Sequence, residues 1–151
     1  MIALRNILVA VAFDDMTESL MLHGRTLART FGAALHVLHI PDNLFFRPMA
    51  NDPHAIEGGL LEQLGEHLTQ DDRESLRTVT AIRHSSTPAE EIVEYAKSND
   101  VDLIVIGTHG RRGMTHFLMG GVAETVVRTA PCPVMTIRDH QREFVSPDPQ
   151  P

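Results

Sequence analysis

Short runs of apolar residues recur along the chain and alternate with segments of helical periodicity. Apolar runs rich in β-branched residues occupy 7–13, 103–106 and 134–137, the last with Thr136 as its one polar residue, and the run at 34–40 is apolar except at two histidines. A run of this kind is typical of a strand that is covered on both faces. A fifth run at 76–82 alternates between apolar and polar residues, as expected of an edge strand. We therefore predict five strands.

The four segments between these strands have the spacing of amphipathic helices. Thr17 is the predicted N-cap of the first helix. Thr87, with Pro88 after it and Glu90 three residues on, predicts a capping box at the start of the third. The fourth helix is predicted to begin near Gly120. Its predicted inward-facing residues are Val122, Ala123, Val126 and Val127.

The order of these elements determines the predicted architecture. Strands that alternate with helices indicate a parallel sheet with helices on both faces, joined by right-handed crossovers. The chain of 151 residues is long enough for one such domain, which we predict over 1–138. Residues 139–151 contain three of the nine prolines and little apolar material, so we expect a flexible tail.

The charge balance excludes several classes of partner. Lys and Arg number 13 and Asp and Glu number 20, for a net charge of −7, so we expect neither nucleic acid nor an anionic membrane surface as the partner. The single cysteine, Cys132, forms no internal disulfide, and no apolar run reaches the roughly 20 residues of a membrane span. We expect a cytoplasmic protein.

A glycine-dense stretch follows the fourth strand. Glycines at 107, 110 and 120 have the spacing Gly-x2-Gly-x9-Gly, and Arg111 and Arg112 lie between them. Glycine lets backbone N–H groups approach an anion, and the start of the next helix adds its positive dipole end. The alternative is that these glycines serve only tight turns. No Gly-Lys-Ser/Thr follows, so the stretch is not a Walker loop, and no dinucleotide fingerprint follows the first strand.

Several motifs together resemble the universal stress protein family, over roughly residues 3 to 138. They are Asn6 to Val11, Pro88 to Ile92, Asp102 to Gly110, Leu118 to Glu124 and Pro131 to Val134. The resemblance implies an adenine-nucleotide alpha-hydrolase-like fold, a doubly wound open α/β sheet of five parallel strands in the order 3-2-1-4-5. It also implies dimers through the last strand, at 134–138, and a Gly-x2-Gly-x9-Gly-Ser/Thr loop that holds ATP, with Mg²⁺ if the triphosphate is bound.

The same resemblance implies a set of nucleotide-binding residues. They are Ala10, Ala12, Phe13, Ile40, Gly107, Thr108, His109, Gly110, Arg111, Arg112, Gly113, Gly120, Gly121, Val122 and Ala123. Two positions depart from the family pattern: Ala12 stands where members commonly have Asp, and Gly121 stands at the Ser/Thr position. Asp14 and Asp15 follow two and three residues after Ala12. Each lost hydrogen bond to a charged group costs on the order of 1.5–3 kcal/mol.

Three functions are consistent with this sequence. The first is a dimeric stress-response sensor or regulator that binds an adenine nucleotide. The second is a slow ATP hydrolase, with His109 or His116 positioning water. The third is an interaction protein with a degenerate pocket.

Other candidates are weaker. His36 and His39 are three residues apart on a strand, so they face opposite sides and cannot chelate one metal ion. We predict no metal site. Cys132 is predicted to be a small buried residue.

Overall fold

The structure is a computed structural model that describes residues 1–41, 53–108 and 121–138, and it describes only the backbone of residues 53–57. The strands are β1 (Asn6–Val11), β2 (Ala34–His39), β3 (Val79–Ile82), β4 (Leu103–Gly107) and β5 (Val134–Ile137). The helices are α1 (Thr17–Phe31), α2 (Pro53–Glu66), α3 (Gln70–Ser75), α4 (Pro88–Ser98) and α5 (Val122–Thr129).

All five strands form one parallel sheet in the order β3-β2-β1-β4-β5, which confirms the predicted fold class. The central strand β1 pairs with β2 on one side and with β4 on the other. The chain therefore winds outward from β1 first in one direction and then in the other. The gap beyond the carboxyl ends of β1 and β4 is the topological switch point, where open α/β sheets bind ligands.

The two faces of the sheet form two separate apolar clusters. Ile7 and Val9 of β1 belong to the cluster with α1 and α2, whereas Leu8 belongs to the cluster with α4 and α5. Helix α1 lies so close to the sheet that a Cβ built on Gly24 would be 2.3 Å from Cγ2 of Val9. The pattern of continuously apolar strands is thus explained, because both faces of the sheet are buried.

The predicted start of α1 is wrong by one residue. Met16 is the N-cap and Thr17 is the first helical residue, and its Oγ1 accepts the Asp14 N–H at 3.1 Å. The predicted capping box at α4 is also absent. Thr87 is the N-cap and Pro88 follows it, but the Thr87 side chain makes no capping hydrogen bond. The Thr87 N–H is donated to Ser85 Oγ at 3.0 Å, so the turn before the helix is fixed by a serine instead.

The inward face of α5 is narrower than predicted. Val126 is buried, but Val122 is 40% and Val127 is 52% exposed. The cause is the position of α5 beside the outer strand β5, where a helix of two turns buries only a single stripe of residues.

One further helix, α3, has no counterpart among the predicted elements. Helix α3 lies between α2 and β3, and it begins with a capping box formed by Thr69 and Asp72. Residues 76–78 lead out of this helix, and therefore β3 begins at Val79 rather than at Leu76.

Candidate functional site

The predicted site residues within the described ranges lie at the carboxyl edge of the sheet. Ala12 and Phe13 follow β1, Gly107 ends β4 and Thr108 follows it, and Gly121 precedes α5. This placement follows from the parallel topology, since the carboxyl ends of all five strands meet at one edge. Six predicted residues lie outside the described residues: His109, Gly110, Arg111, Arg112, Gly113 and Gly120.

The two faces of the sheet divide the remaining predicted residues. Ala10, Ile40 and Ala123 are partly buried against the cluster on the α4 and α5 face. Phe13 packs against the cluster on the opposite, α1 and α2 face. The first three residues therefore share one face of the sheet, and Phe13 packs on the other face.

Among the described residues, no side chain caps the backbone N–H groups at the N-terminus of α5. Gly121 is the N-cap, with the extended backbone typical of that position, φ −88° and ψ −175°. The first N–H groups of a helix have no partner within the helix, and together with the helix dipole they attract anions. Glu124 in the first turn complements the same dipole. Its Oε2 is buried and finds no hydrogen-bond partner in the described part of the chain.

Thr108 is a second polar group at this edge with an incomplete set of hydrogen bonds. Its N–H donates to the Ile137 carbonyl at 2.9 Å, which ties the end of β4 to β5. Its hydroxyl Oγ1 is buried and has no partner among residues 1–41, 53–108 and 121–138. Buried polar groups are nearly always hydrogen-bonded, so an unsatisfied one requires an explanation such as a bound ligand or water.

The glycine at 107 is not required by packing within the described residues. A Cβ built there would meet Leu20 and Met16 at 3.6 and 3.7 Å, which are ordinary van der Waals distances. Among these neighbours an alanine would fit as well as the glycine does.

The turn between β1 and α1, residues 12–16, contains two carboxylates, those of Asp14 and Asp15. Asp14 Oδ1 accepts the Met16 N–H at 2.9 Å, so this carboxylate caps its own turn. Asp15 is exposed. One Asp14 oxygen is thus already used within the turn.

An aromatic cluster beside this turn was missed by the sequence analysis. The Phe13 ring centroid lies 4.1 Å from that of His39 and 6.0 Å from that of His67. His39 Nδ1 donates to the Val11 carbonyl at 2.8 Å, and His67 Nδ1 lies 2.6 Å from Glu18 Oε1. No local signal predicts this cluster, because its aromatic residues come from three distant parts of the chain.

The prediction that His36 and His39 face opposite sides is confirmed by their contacts. His36 Nε2 lies 3.1 Å from Asn6 Oδ1, and its Nδ1 lies 2.8 Å from the Tyr95 hydroxyl on the α4 side. Burial lowers the pKa of His36 and raises the pKa of Tyr95. The neutral form of His36 is thus favoured, in which Nε2–H donates to Asn6 Oδ1 and Nδ1 accepts a hydrogen bond from the Tyr95 hydroxyl.

Cys132 has no features of a reactive thiol. It is partly buried, and burial followed by the nearby Asp102 carboxylate raises its pKa. Within the described residues no group of three or more His, Cys, Asp or Glu is arranged to hold a metal ion. None of the described helices is both long and apolar enough to cross a membrane.

The sheet order and the position of the edge site define a doubly wound α/β protein. The profile of the Universal stress protein family matches residues 3–138, so the chain belongs to this family. It is 28% identical over 150 residues to a universal stress protein of Methanocaldococcus jannaschii, covering 92% of this chain and 85% of that protein. It is 30% identical over 153 residues to a universal stress protein of Methanothermobacter thermautotrophicus, covering 89% of this chain and 95% of that protein.

Solved structures of universal stress proteins have the same fold. UspA from Lactobacillus plantarum superimposes with a TM-score of 0.75 at 26% identity, over 91% of this chain and 100% of that one. A universal stress protein from Archaeoglobus fulgidus in complex with dAMP has a TM-score of 0.62 at 23% identity, over 90% and 98%. A universal stress protein solved in complex with cAMP has a TM-score of 0.62 at 19% identity, over 90% of this chain and 98% of that one.

Proposed function

We propose that this protein binds an adenine nucleotide at the carboxyl edge of its sheet, between the ends of β1 and β4. The observation that carries the proposal is the N-terminus of α5, which no described side chain caps and which offers backbone N–H groups and a positive dipole end beside the switch point. The buried hydroxyl of Thr108, without a partner among the described residues, supports it further. Family relatives solved with dAMP and with cAMP make adenine nucleotides the ligands to test first.

The nucleotide is proposed to lie with its phosphates toward α5 and its nucleoside toward β1. Backbone groups of Gly121 and of the glycine-rich stretch 107–121 would hold the phosphates, with Arg111 or Arg112 beside them. Ala10, Ile40 and Ala123 offer small apolar contacts on the α4 and α5 face. Mg²⁺, where a triphosphate is bound, would be ligated mainly by the phosphate oxygens.

The nucleoside end is the weaker part of this site. Ala12 offers no side-chain acceptor, and the Asp14 carboxylate is already bonded within its own turn. One missing bond of on the order of 1.5–3 kcal/mol weakens binding by roughly 10- to 150-fold. We therefore expect an affinity for ATP in the high micromolar to millimolar range.

A variant at the N-cap of α5 separates ligand binding from stability. Gly121→Asp adds a good N-cap residue and should stabilise the helix by about 0.5 kcal/mol or less relative to glycine. The same carboxylate occupies the anion position, so ATP affinity should fall at least about tenfold. The matched control Gly121→Ser adds a hydroxyl without charge and should bind ATP at least as tightly as the wild type.

Isothermal titration calorimetry with ATP and AMP, each with Mg²⁺, measures these affinities. No heat at millimolar nucleotide in the wild type would eliminate the proposal, and equal affinity in Gly121→Asp would remove α5 from it. Ala12→Asp restores a carboxylate at the nucleoside end, and a gain in affinity there would locate that end at β1.

We further propose a homodimer formed through the outer edge of β5. This strand pairs with β4 on one side, and its other edge has no strand partner in the described residues. Val134 and Met135 are only partly buried, and an unpaired edge favours pairing with a second copy. The physiological hypothesis is a stress-response role in the cytoplasm through the contacts of this dimer. The proposed domain covers residues 1–138. Analytical ultracentrifugation of Thr136→Pro, which removes a donor from β5, would test the interface.

A second candidate function is favoured by the two positions that depart from the family pattern. Ala12 and Gly121 together suit an interaction protein whose pocket no longer binds nucleotide. A strong gain of ATP binding from nothing in the double variant Ala12→Asp/Gly121→Ser would favour this alternative.

ATP hydrolysis by His109 or His116 would be detected as phosphate release that is lost in His109→Ala.

A further inference from the structure

Phe13 has a backbone conformation that is unusual for a residue with a side chain. Its φ is +54°, in the left-handed region. Steric contact of Cβ with the following carbonyl disfavours this region by roughly tenfold for such residues. Arg77 and Asp100 also have positive φ, but both precede strands at the opposite edge of the sheet. At the carboxyl edge, Phe13 is the only such residue in the described part of the chain, so its surroundings must maintain the conformation.

Two histidine rings pack against the Phe13 side chain, and we name them the histidine clamp (His39 and His67). The His39 ring lies against Phe13 with centroids 4.1 Å apart and planes tilted by 43°. The His67 ring stacks on Phe13 at 6.0 Å with an angle of 20° between planes. Aromatic rings in such arrangements attract one another beyond the effect of buried area alone.

Each ring of the histidine clamp is itself fixed to another element. His39 is buried, and its Nδ1–H donates to the Val11 carbonyl at the end of β1. His67 Nδ1 lies 2.6 Å from Glu18 Oε1 in the first turn of α1. The His67 carbonyl accepts Arg25 Nη2 of α1 at 3.1 Å. The clamp thus connects the end of β2 and the segment after α2 to the two ends of the β1–α1 turn.

We propose that Phe13 is a positioning residue for the nucleotide site, held by the histidine clamp so that the β1–α1 turn keeps its shape. The ring packs on the α1 and α2 face, so it acts through the backbone of residues 12–16 and not by contact with a ligand on the other face. The turn borders the nucleoside end of the site. The inference rests on the proposed function for this last link, whereas the effect on the turn is independent of any ligand.

Amide hydrogen exchange in the ligand-free protein tests the effect on the turn. The Met16 N–H is bonded to Asp14 Oδ1 inside the turn, and its exchange reports local opening. The amide of Val9 in the centre of the sheet reports global opening. Phe13→Leu removes the ring and should accelerate exchange at Met16 about tenfold or more relative to Val9. Phe13→Tyr keeps the ring and should restore the wild-type ratio.

Two further variants separate the ring from other effects. Phe31→Leu makes the same substitution at the far end of α1 and should leave the Met16 to Val9 ratio unchanged. Phe13→Gly adopts a positive φ without steric strain, so exchange at Met16 should lie between that of the wild type and that of Phe13→Leu. Wild-type protection of Met16 in Phe13→Leu would overturn the proposal, since the ring would then not determine the turn.

Calorimetric titration with ATP and Mg²⁺ tests the link to the site. Phe13→Leu should weaken binding at least fivefold, and Phe13→Tyr should recover it. If the wild type binds and Phe13→Leu opens the turn without loss of affinity, the role in the site is refuted. If the wild type itself does not bind, the proposed function fails, while the exchange measurements still decide whether the clamp holds the turn.

Discussion

Two neighbouring aspartates offer a sharp test of how burial controls the strength of an ion pair. Asp72 is fully buried, and both its oxygens accept Arg25 Nε, at 2.8 and 2.9 Å. It also accepts the Thr69 N–H at 2.9 Å in the capping box of α3. Asp71 is 59% exposed and pairs with Arg29 at 2.6 Å. Both pairs join α1 to α3, and Arg29 Nη2 also lies 3.3 Å from Asp72 Oδ1. The two aspartates therefore share Arg29 and differ in their access to water, and Asp72 has the additional bonds to Arg25 and Thr69.

We predict a large difference between Asp72→Asn and Asp71→Asn. Removing one partner of a buried ion pair costs about 3–5 kcal/mol, whereas an exposed pair contributes about 0–1 kcal/mol. Arg25 retains 17% exposure and the asparagine oxygen still accepts a hydrogen bond, so we expect about 2–4 kcal/mol for Asp72→Asn. For Asp71→Asn we expect less than about 1 kcal/mol. Urea unfolding followed by far-UV circular dichroism at pH 7 measures both free energies.

The pH dependence of the same difference tests its electrostatic origin. Burial by itself raises the pKa of the Asp72 carboxyl, but the Thr69 N–H and the Arg25 guanidinium outweigh burial, so the pKa lies below the ordinary value of 3.8. A carboxyl with a lowered pKa in the folded state stabilises the fold above its unfolded value and loses this effect as the pH falls through the folded value. The difference between wild type and Asp72→Asn should therefore shrink below about pH 4.

Two results would refute this reasoning. Equal losses of stability in Asp71→Asn and Asp72→Asn at pH 7 would show that burial does not determine the strength of these pairs. A loss in Asp72→Asn that stays constant as the pH falls from 5 to 2 would show that the lost interaction is not the charge.

Three further predictions concern other parts of the fold. Gly24→Ala should destabilise the protein by about 1–3 kcal/mol in thermal unfolding despite the better helix propensity of alanine, because its Cβ would overlap Val9 Cγ2. In a protein that already contains Val9→Ala, the cost of Gly24→Ala should be smaller. Losses of stability that simply add in the double variant would contradict this. Because burial lowers the pKa of His36, the unfolded chain takes up a proton near pH 6.5 that the folded chain does not. The free energy of unfolding should therefore fall from pH 7 to pH 5, and the fall should be smaller in His36→Gln. Cys132 should react with a thiol reagent at pH 7 more slowly in the folded protein than in guanidinium chloride, since burial raises its pKa; equal rates would count against this.

The sequence by itself determined the architecture of the sheet. Runs such as Ile7 to Val11 and Leu103 to Ile106 are apolar without alternation, and only strands buried on both faces satisfy such runs. Strands of this kind separated by helices must be parallel, and the family motifs supplied their order. The position of the candidate site at the carboxyl edge then follows, because Gly107 and Gly121 adjoin the strand and helix that topology places there.

Boundaries and caps depended on hydrogen bonds that the sequence allows in more than one way. Thr17 and Thr87 both have the residue type of an N-cap, yet neither hydroxyl caps its helix, since Asp14 and Ser85 form the bonds before them. Thr69 does form a capping box with Asp72, and the Thr-x-x-Asp spacing was the signal that could have revealed α3. Local competition between neighbouring polar groups decided each case.

The contacts between distant residues were decided by tertiary structure alone. Phe13, His39 and His67 meet only after the sheet has formed and two helices have packed on one of its faces. The burial of Asp72 beside Arg25 likewise depends on how α3 packs against α1. Apolar periodicity specifies which face of an element is buried, but it carries no information about which polar or aromatic partner will lie opposite. That choice depends on the distances between elements, which are fixed when the whole core packs.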